Sequence, residues 1–232
     1  FLAPDPEVRG IFEKVGAGTP QKRAVVLVHG LGLHPLSWVK VVTPRLRAWQ
    51  QPGSALVREL TAHADVYAFA YSQNTAADKV GTAAGLARHL AKLKADGYSE
   101  IVLVGHSAGG LVVRHLIEDH PDCGVTRVVQ VCAPNTGCLL TAFAATREVQ
   151  SAFVASLSRA VREKILASRE KVSLPAAVEF TCVVASHRLG GDGVVALASQ
   201  WSEDLQRQGA PALLVHAGHN DVLTGPKGVE AV

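Results

Sequence analysis

The stretch Gly105-His106-Ser107-Ala108-Gly109 constrains this chain more than any other. It follows Glu100-Ile101-Val102-Leu103-Val104, a short β-branched run that reads as a buried strand. It precedes Gly110 to Ile117, which reads as a helix that Pro121 would stop. A G-x-S-x-G between strand and helix is the context of a nucleophile elbow, in which glycines permit a sharp turn and the serine hydroxyl projects above the sheet. The helix behind Ser107 would point its positive end at the reacting oxygen. Five residues of this type also recur by chance, so the reading depends on the frame and on partners elsewhere in the chain.

Those partners have a required order. A serine hydroxyl attacks only when a base takes its proton, and that base must be oriented by a third group. On a sheet of this kind the order is Ser, then Asp or Glu, then His, each in a loop beyond a strand's C-terminal end. After the strand expected at Val178 to Ala185 comes Gly190-Gly191-Asp192-Gly193, which makes Asp192 the candidate acid. Asp204 is the rival, but it falls in a short helical stretch, Glu203 to Arg207, where a charge usually faces water. Asp119 and Asp122 come too early. After Ala212 to Val215 comes Gly218-His219, so His219 is the candidate base, and His216 reads as a strand-end histidine. The oxyanion of an acyl-transfer step needs two backbone donors. Ala108, after the nucleophile, and Leu31, in the loop His29-Gly30-Leu31-Gly32 after the first strand, are the candidates.

At 232 residues, with 48% hydrophobic and 19% charged residues, the chain reads as one globular domain spanning residues 1–232. A net charge of +3 and the absence of nucleic-acid-binding motifs argue against a nucleic-acid partner. No apolar run approaches the roughly 18 residues needed to span a bilayer. Cys123, Cys132, Cys138 and Cys182 form no C-x-x-C pair and no zinc spacing, so no metal and no cofactor is expected. Cys132 and Cys182 read as core thiols, which favours a cytoplasmic location, with a processed secreted form left open. Met is absent throughout, for which the sequence offers no reason.

Strand-like and helix-like segments alternate, which predicts a three-layer α/β sandwich with a mostly parallel sheet of about six strands. The strands are expected at Ala24–Val28, Asp65–Tyr71, Glu100–Val104, Val125–Cys132, Val178–Ala185 and Ala212–Val215. One helix is expected within Leu36 to Thr61. Another is expected from Ala76 to about Ala95, with Thr75 and Asp78 as its capping box.

Four segments together resemble the α/β-hydrolase superfamily, and within it the small bacterial lipases and lipase-like carboxylesterases. They are Val28-His29-Gly30-Leu31-Gly32, Gly105 to Gly110, Asp192-Gly193-Val194-Val195 and Gly218-His219. Ala133-Pro134-Asn135-Thr136-Gly137 adds to the resemblance. It implies a cofactor-free serine hydrolase with Ser107, Asp192 and His219 as triad and Leu31 and Ala108 as oxyanion hole, acting on a small-molecule ester or lipid. The chain departs from larger members in two ways. It shows no sign of their two extra N-terminal strands, and little room for a closing helix follows His219.

The substrate is the open part of the reading. An insertion at about 138–174 lies where many such hydrolases carry a lid. Within it Val149, Phe153, Leu157, Val161 and Ile165 recur every four residues. Cys138 to Val172 carries six basic and three acidic residues, a charge that suits transient contact with a lipid surface as well as an ordinary solvated helix face. His34, Trp38, Phe143, Phe153 and Leu157 are candidates for an acyl pocket. A thioesterase or amidase would use the same machinery, and a non-catalytic ligand-binding protein on this fold would usually lack a triad member. Oligomeric state is not legible.

Overall fold

Each central strand is mostly apolar on both faces, as a strand covered on both sides must be. In the computed structural model, which describes residues 8–18, 22–32, 43–138, 148–187 and 190–232, seven strands form one sheet. They are β1 (Gly10–Gly16), β2 (Arg23–Val28), β3 (Asp65–Tyr71), β4 (Glu100–His106), β5 (Arg127–Val131), β6 (Glu179–Ala185) and β7 (Ala212–Val215). Their order is β1-β3-β2-β4-β5-β6-β7. All neighbours are parallel except β1, which runs antiparallel to β3 along one edge. The expected six strands are therefore all present. The seventh, β1, is an N-terminal strand where the sequence showed no sign of the two that larger members carry: GIFEKVG is half-exposed and flanked by glycines, so it shows no apolar run.

Alternate residues of the strands feed two cores. Val26, Val28, Ile101, Leu103, Val128 and Cys182 pack on one side, beneath helices α2 (Ala77–Ala83), α3 (Leu86–Ala95) and α4 (Ala108–Asp119). Val25, Leu27, Val104, Val129, Val131 and Val183 pack on the other with Trp49 and with Leu56 and Val57 of α1 (Ala55–Thr61). The helix expected from Ala76 to Ala95 is two helices, because Gly85 at φ 83° breaks it. The N-cap of α2 is Ala76 with no side-chain bond, so the Thr75–Asp78 capping box does not form.

From residue 148 on, the insertion folds as a 3₁₀ turn, Glu148–Gln150, then α5 (Ser151–Ser156) and α6 (Arg159–Ser168). Ser158, whose hydroxyl accepts from the Val161 N–H, starts α6 afresh, so the five-residue stripe is divided between two helices. Phe153 and Leu157 are 0% and 2% exposed and belong to the same core as Ala108. They are packed in the core here, whereas the expectation had the stripe turned toward an acyl chain. The basic residues are also engaged. Arg162 is buried and donates to the Asn135 carbonyl and to His115, while Arg169 pairs with Glu118 and Asp119. Only Arg159, Lys164 and Lys171 stand exposed among the insertion's described basic residues. After β6 come α7 (Leu197–Gln200) and α8 (Glu203–Arg207), and after β7 comes α9 (Pro226–Ala231), a short closing helix for which the sequence left little room.

Candidate active site

Ser107 sits between the last residue of β4 and the first of α4 with φ 55° and ψ −128°. A non-glycine residue with positive φ is strained, and such strain persists only where the surroundings enforce it. Here the Ser107 N–H donates to the Val131 carbonyl at 2.8 Å, and its own carbonyl accepts from Gly110 N–H at 2.9 Å. The neighbouring glycines act by being small rather than by torsion, since neither Gly105 nor Gly109 has a positive φ. A Cβ on Gly109 would lie 2.3 Å from the Val28 carbonyl oxygen, and one on Gly105 would lie 2.6 Å from the Gly109 oxygen. The start of α4 is thus seated directly on the ends of β2 and β4.

Asp192 and His219 meet beyond the ends of β6 and β7. His219 Nδ1 lies 2.6 Å from Asp192 Oδ2, and the His219 N–H donates to the Asp192 carbonyl at 3.0 Å. Asp192 Oδ1 accepts from the N–H groups of Val194 at 2.8 Å and Val195 at 2.7 Å, in a turn where Gly193 takes φ 95°. Burial alone would push this carboxyl up. The His219 ring and the two N–H donors outweigh it and hold Asp192 below the usual carboxylate range. Facing a carboxylate, His219 carries its proton on Nδ1 and leaves Nε2 as an acceptor.

His106, the residue before Ser107, braces His219. Its Nε2 lies 2.8 Å from the His219 carbonyl oxygen, so Nε2 carries the proton, and the two rings are 4.9 Å apart. Burial, with His219 nearby, drops its pKa to about 3. Cys132, just past the end of β5, is a residue whose place in the site the sequence does not reveal. It takes φ 51°, and its Sγ, an Asp192 oxygen and a His219 nitrogen all lie within 4.8 Å of one another. Burial, then the Asp192 charge, raises the thiol well above its ordinary range. Three such atoms are a conceivable metal set. However, the Asp192 and His219 atoms already bond each other, Oδ1 is filled by two backbone donors, and the thiol holds its proton. The group is built as a hydrogen-bonded chain. No disulfide joins the four cysteines.

Gly30, just after β2, lies against Ser107. A Cβ on Gly30 would stand 2.5 Å from Ser107 Cβ and 3.0 Å from its Oγ, so only glycine fits there. Tyr71 Oη donates to the His29 carbonyl at 2.7 Å. Leu31 packs against the core that contains Ala108. Asp204 is drawn away from the site by an ion pair with Arg114 of α4, and His216 is exposed just past β7. His34, Trp38 and Phe143 lie outside the described residues. A cavity of about 670 Å³ opens at the opposite end of the strands, bordered by Arg23, Glu100, Arg127 and Glu179, and touches none of the groups above.

A family model described as "Alpha/beta hydrolase family" matches residues 25–227. The chain belongs to the alpha/beta hydrolase family. No curated protein matches this member by sequence search. Solved structures do match its fold. Bacillus licheniformis lipase BlEst2 in mature form aligns with TM-score 0.70 at 15% identity, over 97% of this chain and 94% of that one. The metagenomic carboxyl esterase MGS0156 aligns with TM-score 0.60 at 18% identity, over 89% and 67%. The epoxide hydrolase CorEH aligns with TM-score 0.57 at 16% identity, over 98% and 94%. Lipase, esterase and epoxide hydrolase share this architecture, so the reaction must be argued from the site.

Proposed function

We propose that this alpha/beta hydrolase is a serine esterase that cleaves small-molecule carboxylic esters with an apolar acyl group. The observation that carries the reading is the 2.6 Å contact between His219 Nδ1 and Asp192 Oδ2, in loops flanking the strained Ser107. Two fold relatives bear the names lipase and carboxyl esterase, which agrees with it.

In this reading His219 Nε2 takes the Ser107 proton as Oγ attacks the ester carbonyl carbon. The carbonyl π pair moves to oxygen, and the N–H groups of Leu31 and Ala108 hold that oxyanion. The oxyanion collapses, the bond to the alkoxy group breaks, and His219 passes its proton to the departing alcohol. Water then attacks the acyl-Ser107 ester by the same steps, releasing the acid and restoring Ser107. Asp192 keeps Nδ1 protonated and stabilises the imidazolium that forms twice per cycle.

Ser107→Ala is expected to lower kcat on p-nitrophenyl esters by several orders of magnitude, leaving the residue due to binding and the oxyanion donors. A fluorophosphonate should label the parent at Ser107 and leave the variant unlabelled. Rates from acetate to palmitate, beside a thioester series, define the acyl preference. Labelling at another serine, or turnover that survives the substitution, overturns the assignment.

A further inference from the structure

The peptide between Gly30 and Leu31 carries two groups that point in opposite directions, because a trans peptide sets its C=O and N–H antiparallel. The C=O is that of Gly30 and the N–H is that of Leu31. The Gly30 oxygen takes two buried donors, Gln73 Nε2 at 2.9 Å and His29 Nδ1 at 2.7 Å. The Gly32 N–H donates to Gln73 Oε1 at 3.0 Å, and the Gly32 oxygen accepts from Gln150 Nε2 at 2.9 Å. Gln150 Nε2 also reaches Gln73 Oε1 at 2.9 Å, which ties the two amides together. Turning the Gln73 amide over would set oxygen against the Gly30 oxygen and NH₂ against the Gly32 N–H, so the network itself defines its orientation. Gln73 is 1% exposed and Gln150 0%.

We propose that Gln73 and Gln150 are positioning residues for the oxyanion hole. They form a clamp that aims the Leu31 N–H at the tetrahedral oxygen by holding the carbonyl behind it. This rests on the acyl-transfer reading above. An oxyanion donor helps only if it is oriented before charge develops. The His29-Gly30-Leu31-Gly32 loop contains two glycines, which left alone would sample many conformations. The amides hold it on both sides of Leu31. Donors on the Gly30 oxygen also polarise the shared peptide and strengthen its N–H. Burial keeps His29 neutral, with a pKa of about 4, so its part in the clamp does not change across neutral pH. Gln150 comes from the insertion, so the insertion serves turnover through the loop, whether or not it also covers the substrate.

The test compares Gln73→Glu, Gln73→Leu and Gln150→Leu with the parent. A control is Gln50→Leu, another buried amide, which donates to the carbonyls of Leu27 in β2 and Phe69 in β3 and to none in the loop. Each protein is measured for kcat and KM on a short-chain p-nitrophenyl ester, for inhibition by a trifluoromethyl ketone, and for Tm. The ketone forms a hemiketal oxyanion on Ser107, so its affinity reports the hole directly. Gln73→Glu keeps an oxygen for Gly32 but turns another against the Gly30 carbonyl. It is expected to lower kcat by roughly 10–100-fold with KM within about twofold, somewhat less than the loss of a direct donor. Ketone affinity should weaken by a similar factor. Gln150→Leu should show about a tenfold loss of the same kind. Gln50→Leu should lower Tm without weakening the ketone selectively. Clamp variants that bind the ketone like the parent, or that lose only Tm as the control does, overturn the proposal. If fluorophosphonate fails to label Ser107 in the parent, the esterase reading itself falls. Labelled Ser107 with unchanged kcat in Gln73→Glu and Gln150→Leu overturns the clamp alone.

Discussion

Two aspartates competed for the acid role, and side-chain partners separate them. Asp192 bonds His219, whereas Asp204 bonds Arg114. Asp192→Asn should therefore lower kcat about 10³–10⁴-fold with little change in melting, because the amide favours the wrong tautomer of His219. Asp204→Asn should leave kcat within about twofold and lower Tm, because it uncouples a buried arginine. Steady-state kinetics and thermal melts on the two variants check this, and comparable kcat losses would contradict the assignment. The positions of Ser107, Asp192 and His219 beyond the strand ends were legible because chain order and strand ends are written in the sequence. Cys132, Gln73 and Gln150 were not. Each earns its place through a contact made only after folding, and nothing in an isolated Cys or Gln signals that contact.

At the scale of elements, continuous apolar runs made the strands legible, and β3 and β7 lie where the sequence places them. Interruptions were less legible. Gly85 and Ser158 each end one helix and start another, since a left-handed residue or a fresh N-cap costs a helix pattern only one position. The division at Ser158 changes what the stripe means. With Phe153 tilted against Tyr71 at 5.9 Å between ring centroids and Leu157 beside it in the core, α5 is anchored by these side chains. Phe153→Ala and Leu157→Ala should each cost about 2–5 kcal/mol and lower Tm by several degrees. They should reduce turnover of acetate and palmitate esters alike in proportion to the protein still folded. Denaturant melts and a chain-length series measure this. A selective loss of long-chain turnover at unchanged Tm would instead show the two side chains contacting acyl groups.

For the molecule as a whole, buried histidines set the response to acid. His29 and His106 are held neutral with pKa values of about 4 and about 3, against 6.5 for an unperturbed ring. Below pH 6.5 the unfolded chain therefore binds protons that the folded one refuses, and each group removes up to about 1.4 kcal/mol of stability per pH unit. Glu118, at about 2 because His115 and Arg114 outweigh its burial, adds stability present above about pH 4.5 and lost below it. Tm should begin to fall near pH 6.5, before ordinary carboxylates titrate, and should fall less steeply in His106→Gln. A Tm that stays level from pH 8 to 5 would contradict this. The sheet divides the interior into two halves, and the candidate catalytic groups straddle the division. Ala108 packs in one half, with Leu31 at its margin, while Val131, which holds the Ser107 N–H, and Cys132 pack in the other. The site is a seam between two bodies of packing. An enzyme assay during heating or acidification reads whichever half loosens first, and catalysis becomes a gauge of the weaker side of the molecule.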